Sequence, residues 1–124
     1  MLKRLTPTLL LVLGVVAASP AAAQSQPGMQ PEVDALLGGI ERSGCEFYRN
    51  GTWHNGHEAQ LHLRDKFDYL VARSRIDSAE QFIDKAATKS SFSGLAYRVR
   101  CNNGAEVSSQ EWMHHQLNLL RRPR

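Results

Sequence analysis

Apolar residues recur along the chain at helical spacing, and the first such stripe follows a Pro-containing segment. Pro31 suits the first turn of a helix, and Ser43-Gly44 is a typical helix end. The stripe between them comprises Val33, Leu36, Leu37 and Ile40. Residues three and four apart lie on one helical face, so this pattern predicts an amphipathic first helix.

A second helix is predicted to begin after Asn55 and to run to about Arg73. Asn55 with Glu58 three residues later has the spacing of a capping box. The predicted buried face comprises Ala59, Leu63, Phe67 and Leu70, with Val71 at its margin. A polar stripe lies beside it at helical spacing, comprising His62, Lys66, Tyr69 and Arg73.

Two further capping boxes predict two more helices. Asp77 with Glu80 opens a helix to about Ala87, whose inward face is Ala79, Phe82, Ile83 and Ala86. Ser108 with Glu111 opens the last helix, which is predicted to bury Trp112, Met113, Leu117 and Leu120.

Short strands are predicted between these helices, at 45–49 and 97–101. Asn50-Gly51 and Asn102-Asn103-Gly104 are turn signals, so residues 105–107 are a candidate third strand. Trp53 and the Ser-rich segment 88–94 are assigned to loops. The fold class is therefore α+β, a helix-dominated domain of about four helices with a small two- or three-stranded antiparallel sheet.

The N-terminal segment has the pattern of a cleavable signal peptide. Lys3 and Arg4 precede the apolar run 9–18, and the small residues 21–23 precede the expected cleavage point after Ala23. The run is about half the ~20 residues that a membrane span needs. We therefore expect a signal peptide at 1–23, a disordered leader at 24–31 and one globular domain at 32–124. The mature protein is expected to be exported without spanning a membrane, and to be periplasmic if the host has an outer membrane and otherwise extracellular.

The expected signal peptide changes the net charge of the mature chain and indicates an oxidising compartment for its cysteines. Without Lys3 and Arg4, the 15 Lys and Arg become 13 against 12 Asp and Glu, so no basic excess indicates nucleic acid. The basic end, Arg121-Arg122-Pro123-Arg124, is interpreted as a frayed helix terminus. In an oxidising compartment Cys45 and Cys101 are predicted to form a disulfide; the alternative is a nucleophilic Cys45 with His62 as its base.

Two stretches of the chain resemble a known family. They are Arg49-Asn50-Gly51 with the His62-Leu63-Arg64 and Lys66 spacing, and Arg75 to Lys85 continuing through Ser90–Gly94 to Tyr97. Together they resemble the YfeK-like family of small exported bacterial proteins, which carry a single domain of unknown function. The resemblance covers about residues 44–100 and implies export from a bacterial cell, but no reaction.

Metal and serine chemistry are weakly indicated. His54, His57 and His62, with Glu58 nearby, are candidate zinc ligands, but His57 and His62 are five apart and fall on different sides of a helix. Surface histidines are the better interpretation, and no metal or cofactor is predicted. The Ser-rich loop lacks a nucleophile-elbow motif, so no catalytic residue is assigned to it.

A cationic cluster is the preferred candidate binding site. Its members are Arg49, His62, Arg64, Lys66, Glu80, Ser90, Ser91 and Ser93. Cations, hydroxyls and loop N–H groups can hold an anion or a glycan. In the alternative interpretation Glu80 pairs with one of the cations in a structural network, where exposed pairs contribute about 0–1 kcal/mol each.

The sequence favours a small exported binding or interaction module of unknown ligand over an enzyme. The candidate partners are an envelope protein, contacted through the aromatics Trp53 and Phe92, or an anionic or glycan ligand. The alternative is a hydrolase acting on a cell-wall or small-molecule substrate, with His62 as general base and Glu80 as acid. The sequence contains no recognisable nucleophile, set of metal ligands or paired-carboxylate motif that would support this hydrolase.

Overall fold

The structure is a computed structural model of the chain and describes residues 3–16 and 28–123. The expected cleavage point after Ala23 lies outside these ranges, as do residues 24–27 of the expected leader. The first helix begins at Met29, so the last three residues of that leader are helical, with Pro31 in the first turn as predicted. No helix of the described part has the length and apolarity needed to cross a bilayer.

Within residues 28–123 the chain forms four helices and four strands, which confirms the α+β class. In chain order they are α1 (Met29–Arg42), β1 (Glu46–Arg49), β2 (Thr52–His54), α2 (Gly56–Ala72), α3 (Ala79–Ala86), β3 (Arg98–Arg100), β4 (Val107–Ser108) and α4 (Ser109–Leu120). The strands form one antiparallel sheet in the order β2-β1-β3-β4.

The sheet has four strands and not the two or three predicted, because Trp53 belongs to β2 and not to a loop. Asn50 and Gly51 adopt positive φ angles of 49° and 89°, which is the backbone of a tight hairpin turn. This turn folds β2 back on β1 and pairs Trp53 with Tyr48. A strand of three residues is too short to show an alternating pattern, so only its turn was visible in the sequence.

The predicted caps are confirmed for α2 and α4 and are wrong for α3. The side chains of Asn55 and Ser108 accept the N–H groups predicted for them, at 2.9 Å and 3.1 Å. At α3 the cap is Ser78, which accepts the Gln81 N–H at 3.1 Å, and not Asp77. Ser78 and Asp77 are both good caps, and the shift by one residue leaves Glu80 outside the capping box.

The core lies between the helices and one face of the sheet, and the predicted apolar stripes fill it. The fully buried side chains include Phe67, Phe82, Leu37, Ile40, Ile83, Met113, Leu117, Val33 and Val99. Trp112 is partly buried and packs edge-to-face on Phe47, with ring centroids 5.5 Å apart. Leu120, predicted to be buried, is 50% exposed because it is the last residue of α4.

Cys45 and Cys101 form the predicted disulfide. Cys45 directly precedes β1 and Cys101 directly follows β3, and these two strands are paired. The bridge therefore closes one end of the central strand pair.

The C-terminal end of α4 is anchored at Arg121, so the expectation of a frayed end is wrong there. The Arg121 guanidinium donates to both carboxylate oxygens of Glu32 on α1, at 2.7 Å and 2.8 Å. It also donates to Glu80 on α3. One arginine thus joins three helices, and Glu32, itself buried, has its charge compensated there.

Removal of the disulfide is expected to destabilise the fold substantially. The bridge closes a loop with a sequence separation of 56 residues, which corresponds to about 4 kcal/mol in the chain-entropy model. Urea unfolding of the double variant Cys45→Ala, Cys101→Ala should show this loss. Wild-type protein under reducing conditions is the matched comparison and should unfold at a similarly low urea concentration. An unchanged unfolding midpoint in both samples would contradict the prediction.

Replacing Arg121 is expected to lower stability in a pH-dependent way. Arg121→Met leaves the Glu32 carboxylate buried without a partner, at a cost of about 2 kcal/mol near pH 7. The hydrogen bond from Arg121 holds the pKa of Glu80 below its usual range. The stability that the Arg121–Glu80 pair contributes is therefore present above the unfolded-state pKa of Glu80. It is lost as the pH falls through the folded-state pKa of that carboxyl. The wild-type advantage in urea unfolding should shrink on acidification, while Arg122→Met, at an exposed neighbouring position, should match wild type throughout.

Candidate functional site

Five of the eight predicted binding residues meet around one depression, which we call the cationic cleft. It has a volume of about 240 Å³ and is lined by Arg49, Asn50, His62, Lys66, Ser90, Ser91, Phe92 and Tyr97. These residues come from the end of β1, the middle of α2 and the segment 87–97. His62 and Lys66 face it together because they lie one helical turn apart.

A chain of hydrogen bonds connects the cationic residues. Arg49 Nη1 lies 2.7 Å from His62 Nδ1, and His62 Nε2 lies 3.2 Å from the Tyr97 hydroxyl. The Lys66 ammonium donates to the same hydroxyl at 3.1 Å and to the backbone oxygen of Lys89 at 3.2 Å.

The chemistry of these groups fixes the direction of each bond. A guanidinium can only donate, so Nδ1 of His62 accepts and its hydrogen resides on Nε2. Tyr97 oxygen then accepts from both His62 and Lys66, which leaves its own hydrogen available. The cleft therefore presents hydrogen-bond donors, which belong to Arg49, Lys66 and Tyr97.

The positive charge of the cleft is uncompensated. Across residues 28–123, neither Arg49 nor Lys66 forms an ion pair, although both are partly buried. By contrast, the other partly buried arginines, Arg64, Arg98, Arg100 and Arg121, all contact carboxylates.

The pKa values of the cleft residues reflect the same excess of positive charge. Burial, reinforced by the charges of Arg49 and Lys66, lowers the pKa of His62 to about 4. Burial and then Arg49 lower the pKa of Lys66 to about 8, and burial raises the pKa of the Tyr97 phenol. At neutral pH His62 is neutral, while Arg49 and most Lys66 side chains are charged, so an anion would find two cations and no competing carboxylate.

The serines of the predicted site have different roles. Ser90 is only 4% exposed. Its hydroxyl oxygen accepts from the N–H groups of Phe92 and Ser93, each at 3.2 Å, and from the Asn50 amide at 3.1 Å. Ser93 donates to the same Asn50 side chain at 2.5 Å. These bonds shape the loop against the β1–β2 turn. Ser91 lines the cleft and is exposed there.

Arg64 and Glu80 do not line the cleft. Arg64 is two positions from both His62 and Lys66, which rotates it about 200° around the helix axis, and it pairs instead with Asp34 at 2.6 Å. Glu80 is held by Arg121 and does not line the cleft.

Asn50 and Tyr97 belong to the cleft but were not predicted as site residues. The sequence pattern predicts only a turn at Asn50 and only a strand at Tyr97. The signal for Tyr97 was available in principle, since a buried tyrosine needs a hydrogen-bond partner for its hydroxyl. The identity of that partner depends on the fold.

The candidate zinc ligands have separate partners. His54 contacts Glu58 at 2.7 Å and His57 contacts Glu41 at 2.9 Å, whereas His62 contacts Arg49. Within the part of the chain that the structure describes, no group of three or more His, Cys, Asp or Glu residues is arranged to hold a metal ion.

The two candidate interface aromatics have different environments. Trp53 packs against Tyr48 with the ring planes tilted by 60°. It lies under the Arg100 guanidinium, 3.8 Å from the ring centroid, on the surface of the sheet. Phe92 is 97% exposed at the rim of the cleft. Only Phe92 is therefore fully available to a ligand or partner.

Comparisons with known proteins give a family but no activity. Residues 27–121 match the model of a family of unknown function, DUF5329. The chain is 39% identical over 87 residues to the uncharacterized protein YfeK of Salmonella typhimurium strain LT2. The aligned residues cover 69% of this chain and 71% of that protein. No solved structure matches the chain significantly. The chain therefore belongs to the DUF5329 family, whose function is unknown.

Proposed function

We propose that this protein is a small exported binding module whose cationic cleft binds an acidic group of its ligand without catalysing a reaction. The observation that carries the proposal is the pair Arg49 and Lys66, which are partly buried side by side without a carboxylate. Export is supported by the signal-peptide pattern at 1–23 and by a disulfide of the kind that persists in oxidising compartments.

A purely structural role explains this pair poorly. Partial burial of two like charges costs free energy unless an opposite charge compensates it. The lowered pKa of Lys66 reflects that cost in the unliganded protein. Groups held in such unfavourable charge states concentrate at functional sites, and an anion between Arg49 and Lys66 would remove the penalty.

The donors of the cleft suit an oxyanion. Arginine offers a planar fork of N–H groups and lysine a compact charge. The hydrogen of the Tyr97 hydroxyl and the exposed Ser91 hydroxyl add neutral donors. Carboxylates, sulfates and phosphates all have oxygen acceptors that match this set.

The hydrolase alternative is supported less well. It requires His62 and Glu80 to act on one bond, but Glu80 is paired with Arg121 away from the cleft. Both ring nitrogens of His62 are engaged, by Arg49 and Tyr97. A pKa of about 4 also makes His62 a weak base at neutral pH.

Sulfate binding tests the cleft directly, because sulfate is fully ionised from pH 5 to 8. We expect saturable NMR shift changes around Arg49, Lys66 and Tyr97 in wild-type protein, and none in the double variant Arg49→Gln, Lys66→Gln. Arg64→Gln is the control, since Arg64 lies on the same helix as Lys66, α2, but outside the cleft.

The same variants separate binding from a structural role. If the cations serve binding, the double variant should remain folded and match or exceed wild-type stability in urea, because it loses two partly desolvated charges. Unfolding of the double variant would instead support a structural network. Equal loss of sulfate binding in Arg64→Gln would argue for non-specific attraction.

Protonation of His62 should respond to the occupied cleft. In free protein its folded-state pKa is about 4, below the unfolded value of about 6.5. The unfolded state therefore takes up this proton first, and stability should fall as pH decreases from about 6.5 to 4. Sulfate should raise the His62 pKa and reduce this fall. NMR titration of the imidazole, assigned with His62→Gln, measures the pKa, and urea unfolding at each pH measures the stability. An unchanged pKa at saturating sulfate would place the anion elsewhere.

A further inference from the structure

The cationic cleft opens into a longer surface depression along α2 and α3. A neighbouring depression of about 520 Å³ shares His62, Lys66 and Ser91 with the cleft. A third, of about 640 Å³, shares Leu70, Arg75 and Lys85 with the second. Because each shares its wall with the next, the three form one continuous surface, which we call the cationic groove.

Five cations line this groove, and none of them is neutralised by an ion pair with any residue in the described ranges. They are Arg49, Lys66, Arg75, Lys85 and Lys89. In the described part of the chain, the four arginines that form ion pairs, Arg64, Arg98, Arg100 and Arg121, lie outside the groove.

Main-chain carbonyl groups hold two of the ammonium groups in place. Lys85 Nζ donates to the backbone oxygen of Arg75 at 2.6 Å, and Lys66 Nζ donates to that of Lys89 at 3.2 Å. These acceptors are neutral, so they position the cations without cancelling their charge. The two acidic lining residues are Asp65 and Asp84. Asp84 is already bound by Gln110 and His114, each at 2.9 Å.

We propose that the cationic groove binds an extended anionic glycan, with one acidic group in the cleft and later acidic groups beside Arg75, Lys85 and Lys89. This inference rests on the proposed function of the cleft and adds the class and length of the ligand. A chain of acidic sugars carries charges at intervals along its length, as the groove carries its cations.

The uncharged lining favours a glycan over an acidic peptide. Ser74 and Ser91 offer hydroxyls for hydrogen bonds to sugar hydroxyls. Phe92, 97% exposed, offers an aromatic face for a sugar ring, whereas one face of Tyr69 is covered by the Arg73 guanidinium, 3.5 Å from the ring centroid. Extended peptides are commonly bound by addition to a sheet edge. The edge strands β2 and β4 contribute no residue to the groove.

Ligand length provides the test. Oligogalacturonates from the monomer to the octamer serve as probes at fixed ionic strength, with calorimetry to measure affinity. We expect the octamer to bind at least about tenfold more tightly than the monomer, because successive acidic groups bind at high effective concentration. Neutral dextran of similar length should not bind.

Charge-matched variants locate the binding surface. Arg75→Gln with Lys89→Gln removes two exposed groove cations and should reduce octamer affinity to near that of the monomer, while sulfate binding in the cleft persists. Arg42→Gln with Arg122→Gln removes the same charge at exposed positions outside the groove and should retain wild-type octamer affinity.

Each contrary result has a distinct meaning. Sulfate binding without any gain from monomer to octamer would overturn the extended ligand and leave the cleft intact. Full octamer affinity in the Arg75, Lys89 variant would overturn the groove as its site. Tighter binding of polyglutamate or a single-stranded oligonucleotide of equal charge would overturn the glycan class. Absence of sulfate and octamer binding altogether would overturn the proposed function itself.

Discussion

The pairing of β1 with β3 is the contact on which both the sheet and the cleft depend. Its register places Tyr48 opposite Arg98. Because the strands are antiparallel, Arg49, which follows Tyr48, and Tyr97, which precedes Arg98, are brought together at one end of the strand pair. The disulfide closes the opposite end. Strands that are 49 residues apart in sequence could slip in register without such a constraint. A slip by one residue would separate Arg49 from Tyr97 and place Phe47 on the solvent face.

The remaining half of the cleft follows from how α2 is anchored. Its first residue, Gly56, packs against the backbone carbonyl of Ile40 so closely that a Cβ atom would clash. This contact and the buried Leu63 and Phe67 fix the rotation of α2 about its axis. His62 and Lys66 then lie beside the buried face and point toward the strand ends. The apolar core therefore determines which polar stripe of α2 faces the sheet.

The sequence predicted the features that depend on local chemistry. The four apolar stripes, two of the three capping boxes and both flanking turns are patterns that neighbouring residues produce together. It failed where two local solutions were equally good, as with Asp77 and Ser78. It also failed where the outcome depended on distant partners: Arg121 binds Glu32 across 89 positions, and Asn50 binds Ser90 across 40. Arg64 is close to His62 and Lys66 in sequence, but its helical phase directs it to Asp34 and away from the cleft.

The distribution of charge, and not its total, gives this surface its character. Residues 24–124, with 13 Lys and Arg against 12 Asp and Glu, have little net charge to attract polyanions over long distances, and physiological salt screens what remains beyond about 8 Å. The paired arginines Arg98 and Arg100 cover the sheet, whereas five cations without an ion pair to any described residue line the groove. Attraction is therefore concentrated at the groove, and the partial burial of Arg49 and Lys66 weakens screening in the cleft. A ligand must enter the groove to experience it, and this favours selection by shape and charge spacing over general affinity for anions.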